Sequence, residues 1–121
     1  MDYLFHQDGV KVRVLDGPYL LDGRPTERAV SDAAALMARL EEFKGFAADQ
    51  LGQLYHDAWL DEEIGEVDRA GFAARLQRPS LHLYDELGVA VVYFDDGDLF
   101  GGHGVKVRVE QGVPTQAGIV G

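Results

Sequence analysis

The sequence predicts an α+β fold: an N-terminal β-hairpin, two or three helices, then a C-terminal antiparallel β-meander, with the helices packed on one face of the sheet. Two observations carry this prediction. Apolar residues alternate with a period of two near the N-terminus, shift to three- and four-residue spacing from about residue 26, and return to alternation after Pro79. Strands grouped at the two ends with helices between them describe an α+β arrangement rather than a repeating βα unit. A length of 121 residues is that of one domain, so residues 1–121 are read as a single unit.

The elements follow in order. Val10, Val12 and Val14 alternate with Lys11 and Arg13, as in a strand with one buried face. Leu15-Asp16-Gly17-Pro18 supplies turn chemistry before a second apolar piece, Tyr19-Leu20-Leu21, which Asp22-Gly23-Arg24-Pro25 ends. Val30, Ala33, Leu36, Met37, Leu40 and Phe43 then mark a first helix, with Thr26 or Ser31 as its N-cap. Gly45 interrupts, and Ala47, Leu51, Leu54, Tyr55 and Ala58 mark a second helix through about Leu60. A short third helix is capped by Asp68, carries Phe72, Ala73 and Leu76 on one face, and closes at Pro79.

The remainder reads as strands. Leu81 and Leu83 alternate with His82 and Tyr84, and residues 88–94 are apolar at nearly every position, which suits a central strand covered on both faces. Asp95-Asp96-Gly97-Asp98 is a turn. Val105, Val107 and Val109 alternate with Lys106 and Arg108, Gly112 turns the chain, and Thr115 to Val120 forms an edge strand. Residues 4–17 and 99–112 match at nine of fourteen positions, Gly-Val-Lys-Val-Arg-Val occurring in both. If the two segments share a sheet, Lys11, Arg13, Lys106 and Arg108 would form a cationic patch on one solvent face.

Composition removes whole classes of chemistry. Cysteine is absent, which excludes disulfide frameworks, thiolate metal sites and cysteine nucleophiles. Ser31 and Ser80 are the only serines, and neither lies in a Gly-x-Ser-x-Gly turn. No apolar run reaches the length of a signal peptide or a membrane span, so a cytoplasmic location without membrane contact is expected. Twenty-one acids against eleven Lys and Arg give a net charge of −10, so the expected partner is a basic protein and not nucleic acid.

Two constellations are candidates for function. Asp57, Asp61, Glu62, Glu63, Glu66 and Asp68 place six acids in twelve residues around Trp59. Acids flanking an aromatic anchor suit a binding edge for a basic partner, with Trp59, Asp61, Glu62, Glu63 and Glu66 as its residues. The second is His103 in Gly101-Gly102-His103-Gly104, where glycines let the backbone approach a ligand closely; Gly102, Asp98 and Phe100 join it. Neither the acids at 95, 96 and 98 nor the glycines from 97 to 104 match a calcium or phosphate loop, and no catalytic residue, cofactor or metal is assigned.

The stretch from Tyr93 through Asp98-Leu99-Phe100-Gly101-Gly102-His103 to Val107, with Gly112 and the closing Ala117-Gly118-Ile119-Val120-Gly121, resembles a family of small bacterial domains of unknown function. That family shows an acidic Gly-Asp turn, Leu-Phe, a Gly-His pair and an alternating strand. The resemblance covers about thirty C-terminal residues, with departures at Gly101 and Gly104. Related domains are placed among presumed immunity proteins of bacterial toxin systems, so the resemblance implies a binding role. The expectation is a small cytoplasmic bacterial binding module, immunity-like, that receives a basic protein on its acidic surface. The alternatives are a small enzyme or ligand- or metal-binding domain using the His103 loop, and pairing of two copies through the edge strand.

Overall fold

The structure, a computed structural model, describes residues 3–15 and 17–120. Eight strands and three helices occur there in the order β1 (Tyr3–Gln7), β2 (Val10–Val14), β3 (Leu20–Leu21), β4 (Arg24–Pro25), α1 (Glu27–Met37), α2 (Leu40–Leu54), α3 (Arg69–Arg75), β5 (Gln77–Leu83), β6 (Val89–Asp95), β7 (Gly104–Glu110) and β8 (Val113–Val120). Six strands form one sheet, ordered β1-β2-β5-β6-β7-β8, and β3 and β4 form a separate ribbon. The α+β class, the helices on one face and the antiparallel C-terminal meander are as the sequence predicts. One join differs in kind, since β2 pairs in parallel with β5 across the helical connection.

The N-terminal hairpin is paired differently from expectation. β2 turns back on β1 through Asp8 and Gly9, both at positive φ, the conformation that a two-residue hairpin turn requires. Tyr19 to Leu21 does not pair with β2; Leu20 and Leu21 pair instead with Pro25 and Arg24. The expected turn at 15–18 includes Asp16, which lies outside the described residues, as does Gly121 of the terminal motif. Tyr19 is a buried post: its hydroxyl donates to Asp32 at 2.6 Å and accepts from the Gly88 N–H at 2.8 Å, tying this segment to α1 and the β5–β6 turn.

Thr26 caps α1, its Oγ1 accepting from the Ala29 N–H at 3.1 Å. The break between the first two helices falls at residues 38–39 rather than at Gly45. Gly45 sits within α2 because a Cβ there would run into the guanidinium of Arg69, which clamps α3 to α2 through two bonds to the Asp49 carboxylate at 2.8 and 3.2 Å. Asp68 caps α3, accepting from the Gly71 N–H at 2.7 Å. This helix ends at Arg75, and Pro79 lies inside β5, where a register shift between Gln77 and Ser80 and a left-handed Arg78 mark a bulge. A residue without an N–H is tolerated where the ladder is already interrupted.

Alternation sends Val12, Val14, Leu81, Leu83, Val92, Phe94, Val105 and Val107 to the helical layer, where Phe43, Leu51, Tyr55 and Phe72 meet them. Each such side chain contributes about 2 kcal/mol by leaving water. The opposite residues form cross-strand rows: Lys11, Ser80, Tyr93 and Lys106 in one, Arg13, His82, Val91 and Arg108 in the next. The four cations therefore share the face that the helices leave uncovered, as the repeated Lys-Val-Arg segments predict.

Tyr93 lies half-buried on that face, and burial first, then its contact with the Tyr84 hydroxyl at 3.3 Å, pushes its phenol up to about 12 from 10.0. The folded chain holds this proton more tightly than the unfolded one, so the associated stability is complete below pH 10.0 and lost as pH rises toward about 12. Tyrosinate absorbance should show one phenol titrating late, and Tyr93→Phe should flatten the decline of stability across that window; an unaltered alkaline profile in the variant would contradict the assignment.

Candidate functional site

The segment after β6 is organised by one carboxylate. Asp96 is fully buried, and its Oδ1 accepts from the Asp98 N–H at 3.0 Å while Oδ2 accepts from Phe100 at 2.8 Å and Gly102 at 3.0 Å. A carboxylate with these donors stabilises a tight loop that otherwise would leave its amides orphaned. Gly97 is required at its position, since φ is +57° and a Cβ would strike the Arg75 carbonyl; the Gly97 carbonyl in turn accepts from Arg75 Nη1 at 2.9 Å. Leu99 and Phe100 are buried, and the Phe100 ring meets Tyr55, Trp59 and Phe72 edge-on at 6.2, 5.7 and 6.0 Å. Anchored from below by Asp96 and Phe100, the loop presents Gly101, Gly102 and His103 at its exposed rim.

The acidic segment is held in a parallel way. Beyond α2 the chain makes one π-helical turn, Tyr55–Trp59, a wider turn often found at functional sites. It carries the backbone from a fully buried Tyr55 to a Trp59 that is 37% exposed. The Tyr55 hydroxyl donates to the Gly65 carbonyl at 2.8 Å and accepts from the Asp61 N–H at 3.2 Å. Asp61 Oδ1 accepts from the N–H groups of Glu63 and Ile64, so this acid shapes its own turn. His56 is a structural link, with Nδ1 against the Gly52 carbonyl at 2.8 Å and Nε2 accepting from the Val67 N–H at 3.2 Å.

These two candidate constellations are neighbours. Trp59 packs edge-on against His103 at 5.9 Å and lies over Gly101. On the Gly101 side of this contact opens a cleft of about 620 Å³ lined by Asp61, Glu63, Ile64, Arg75, Asp98 and Gly101. Its three carboxylates outnumber the single guanidinium, which is engaged with Gly97. The cleft is thus an open acidic notch with an indole on its shoulder, suited to a cationic side chain. Glu62 is exposed on the same turn, whereas Glu66 borders a separate depression beside His56 and Val67. Phe100, grouped with the ligand loop by sequence, is a core anchor, and both Trp59 and His103 stand outside the cleft lining, next to its Gly101 wall. Among the described residues no three His, Asp or Glu side chains converge on a point where a metal would sit.

The sequence carries no signal that Asp96, Tyr55 and Arg75 build the site. In Asp95-Asp96-Gly97-Asp98 the three acids look alike, and only the fold shows that the middle one points inward.

Fold and site together define a small α+β domain with an acidic, tryptophan-shouldered notch at one end of its sheet. The chain belongs to the bacterial family DUF2262, described as an uncharacterized protein conserved in bacteria, whose model matches residues 20–119. That span includes the helices, the notch and the C-terminal meander, and excludes β1 and β2. No curated protein and no solved structure matches the chain.

Asp96→Ala should cost about 3 kcal/mol, because three loop amides lose a charged acceptor in a buried place. Denaturant unfolding measures the loss, and hydrogen exchange should quicken first at Asp98, Phe100 and Gly102. Wild-type exchange at those amides would contradict this role.

Proposed function

We propose that the protein is an immunity-like bacterial binding module, working in the cytoplasm, that receives a basic protein on the acidic edge formed by Trp59, Asp61, Glu62, Glu63 and Glu66. The observation that supports this most directly is the placement of Trp59: partly exposed, edge-on to His103, at the shoulder of a notch lined by Asp61, Glu63 and Asp98. A tryptophan held rigidly among exposed carboxylates offers apolar area at small entropic cost, and the acids speed encounter with a positively charged surface. An arginine or lysine entering the notch meets the carboxylates of Asp61, Glu63 and Asp98, with the Trp59 indole beside Gly101 at its margin. A nucleic-acid-cleaving toxin, basic by necessity, is the natural class of target, because an acidic inhibitor both steers toward it and covers its phosphate site.

The test begins with partner capture from the host by the wild-type chain and by Glu62→Lys/Glu63→Lys. A basic protein retained by the wild type, released as salt rises, and associating about tenfold more slowly with the double variant is the expected result. Trp59→Ala should keep its fold and weaken the complex by about 2 kcal/mol. A complex indifferent to salt and to charge reversal would end the acidic-edge reading, and unfolding of Trp59→Ala would make that residue core.

A further inference from the structure

The uncovered face of the sheet differs chemically from the rest of the molecule. Lys11 and Arg13 stand on β2, Lys106 and Arg108 on β7, and β5 and β6 lie between them. The two basic strands are three sheet spacings apart, about 14 Å. Between them the rings of His82, Tyr84 and Tyr93 form a cluster, with His82 and Tyr93 centroids 4.5 Å apart, His82 and Tyr84 at 6.4 Å, and the two tyrosine hydroxyls 3.3 Å apart. A depression of about 480 Å³ bordered by Leu4, Lys11, Arg13 and His82 lies to one side. Another of about 180 Å³, bordered by Tyr84, Tyr93, Lys106, Arg108 and Gln116, lies to the other. Among the described residues no helix crosses this face.

We infer that this face is a binding platform for single-stranded nucleic acid, with phosphates drawn to the Lys11 and Lys106–Arg108 flanks and bases lying on the His82–Tyr84–Tyr93 cluster between them. Open sheets that present aromatic rings between cations bind unpaired bases by stacking, with the backbone tracking the positive groups. The net charge of −10 argues against nucleic acid only for the average surface; the strand register gathers four of the eleven cations here, while the densest acids lie at residues 57–68. Arg108 shares its charge with Glu110 at 3.1 Å, and Asp95 closes the far end of β6, so the positive area is short and holds a few nucleotides rather than a long duplex. Two copies meeting through this face would oppose cation to cation, which disfavours self-pairing. An acidic polypeptide satisfies the charges but leaves the central ring cluster without its best partner, a flat base.

The probe is a fluorescein-labelled oligouridylate of about twelve nucleotides, a length matched to such sites, titrated with the intact chain and read by anisotropy. Saturable binding that weakens with salt is expected. Lys11→Ala/Lys106→Ala should fold normally, weaken binding about tenfold and lower the slope of log affinity against log salt by about 1.4. Tyr93→Leu, which preserves apolar volume, should weaken binding about fivefold or more. Glu62→Lys/Glu63→Lys should retain it, which separates this face from the acidic edge. Absence of saturable binding, indifference to the lysine pair, or displacement by polyglutamate as readily as by unlabelled oligouridylate would overturn the inference, the last result assigning the face to an acidic polypeptide.

Discussion

The buried carboxylate of Asp96 is the constraint on which the functional end of this molecule depends. A loop with left-handed residues at 97, 98, 101 and 102 has no backbone ladder to satisfy its amides. One side chain takes three of them, and Phe100, whose own N–H is the middle one of the three, has its ring pressed into the aromatic core as a consequence. The exposed rim then has little freedom: Gly101 lies beneath the Trp59 indole, and His103 meets its edge. Tyr55 does for the acidic turn what Asp96 does for the glycine loop, donating to one backbone group and accepting from another. Two separate loops become one rigid surface because both are hydrogen-bonded downward into the same core.

Charge is segregated rather than merely abundant. The densest acids lie at residues 57–68, at the end of the helical layer, and the uncovered sheet face gathers Lys11, Arg13, Lys106 and Arg108, with Glu110 and Asp95 at its margins. At physiological salt electrostatic interactions decay over about 8 Å, shorter than the depth of a sheet with a helical layer on it, so each face acts on its surroundings with its own sign. A single net charge describes neither face. This is why composition correctly describes the average surface and is silent about a local patch.

Periodicity made most of the fold legible. The alternation in residues 10–14 and 105–109 locates two strands, their facing and the shared cationic side; Thr26 and Asp68 announce two helix starts by their capping chemistry. What escaped was decided by partners distant in sequence. β1, Tyr3–Gln7, has no clean alternation, so the turn at Asp8 and Gly9 has no recognisable strand before it, while Gly17-Pro18 carries the more conspicuous turn chemistry. Gly45 reads as a helix break, yet its purpose is to admit Arg69, twenty-four residues later. At the site, Trp59 and the acids were visible as a cluster and His103 as an exposed loop residue. Their contact was not, because nothing in residues 55–63 or 95–103 records that Phe100 packs under both.

Both surfaces are built on one strand pair. β6 sends Val92 and Phe94 into the core, Val91 and Tyr93 to the uncovered face, and ends one residue before Asp96; β7 begins immediately after His103 and carries Lys106 and Arg108. A slip of one residue between these strands would turn every side chain of one of them to the other side, placing Lys106 against Phe43 and Leu51 and exposing valines. The Asp96 loop closes the β6–β7 connection and so opposes that slip with hydrogen bonds instead of burial alone. The fidelity of the basic face and the rigidity of the acidic notch thereby rest on the same carboxylate, although the two surfaces point in different directions and attract opposite charges.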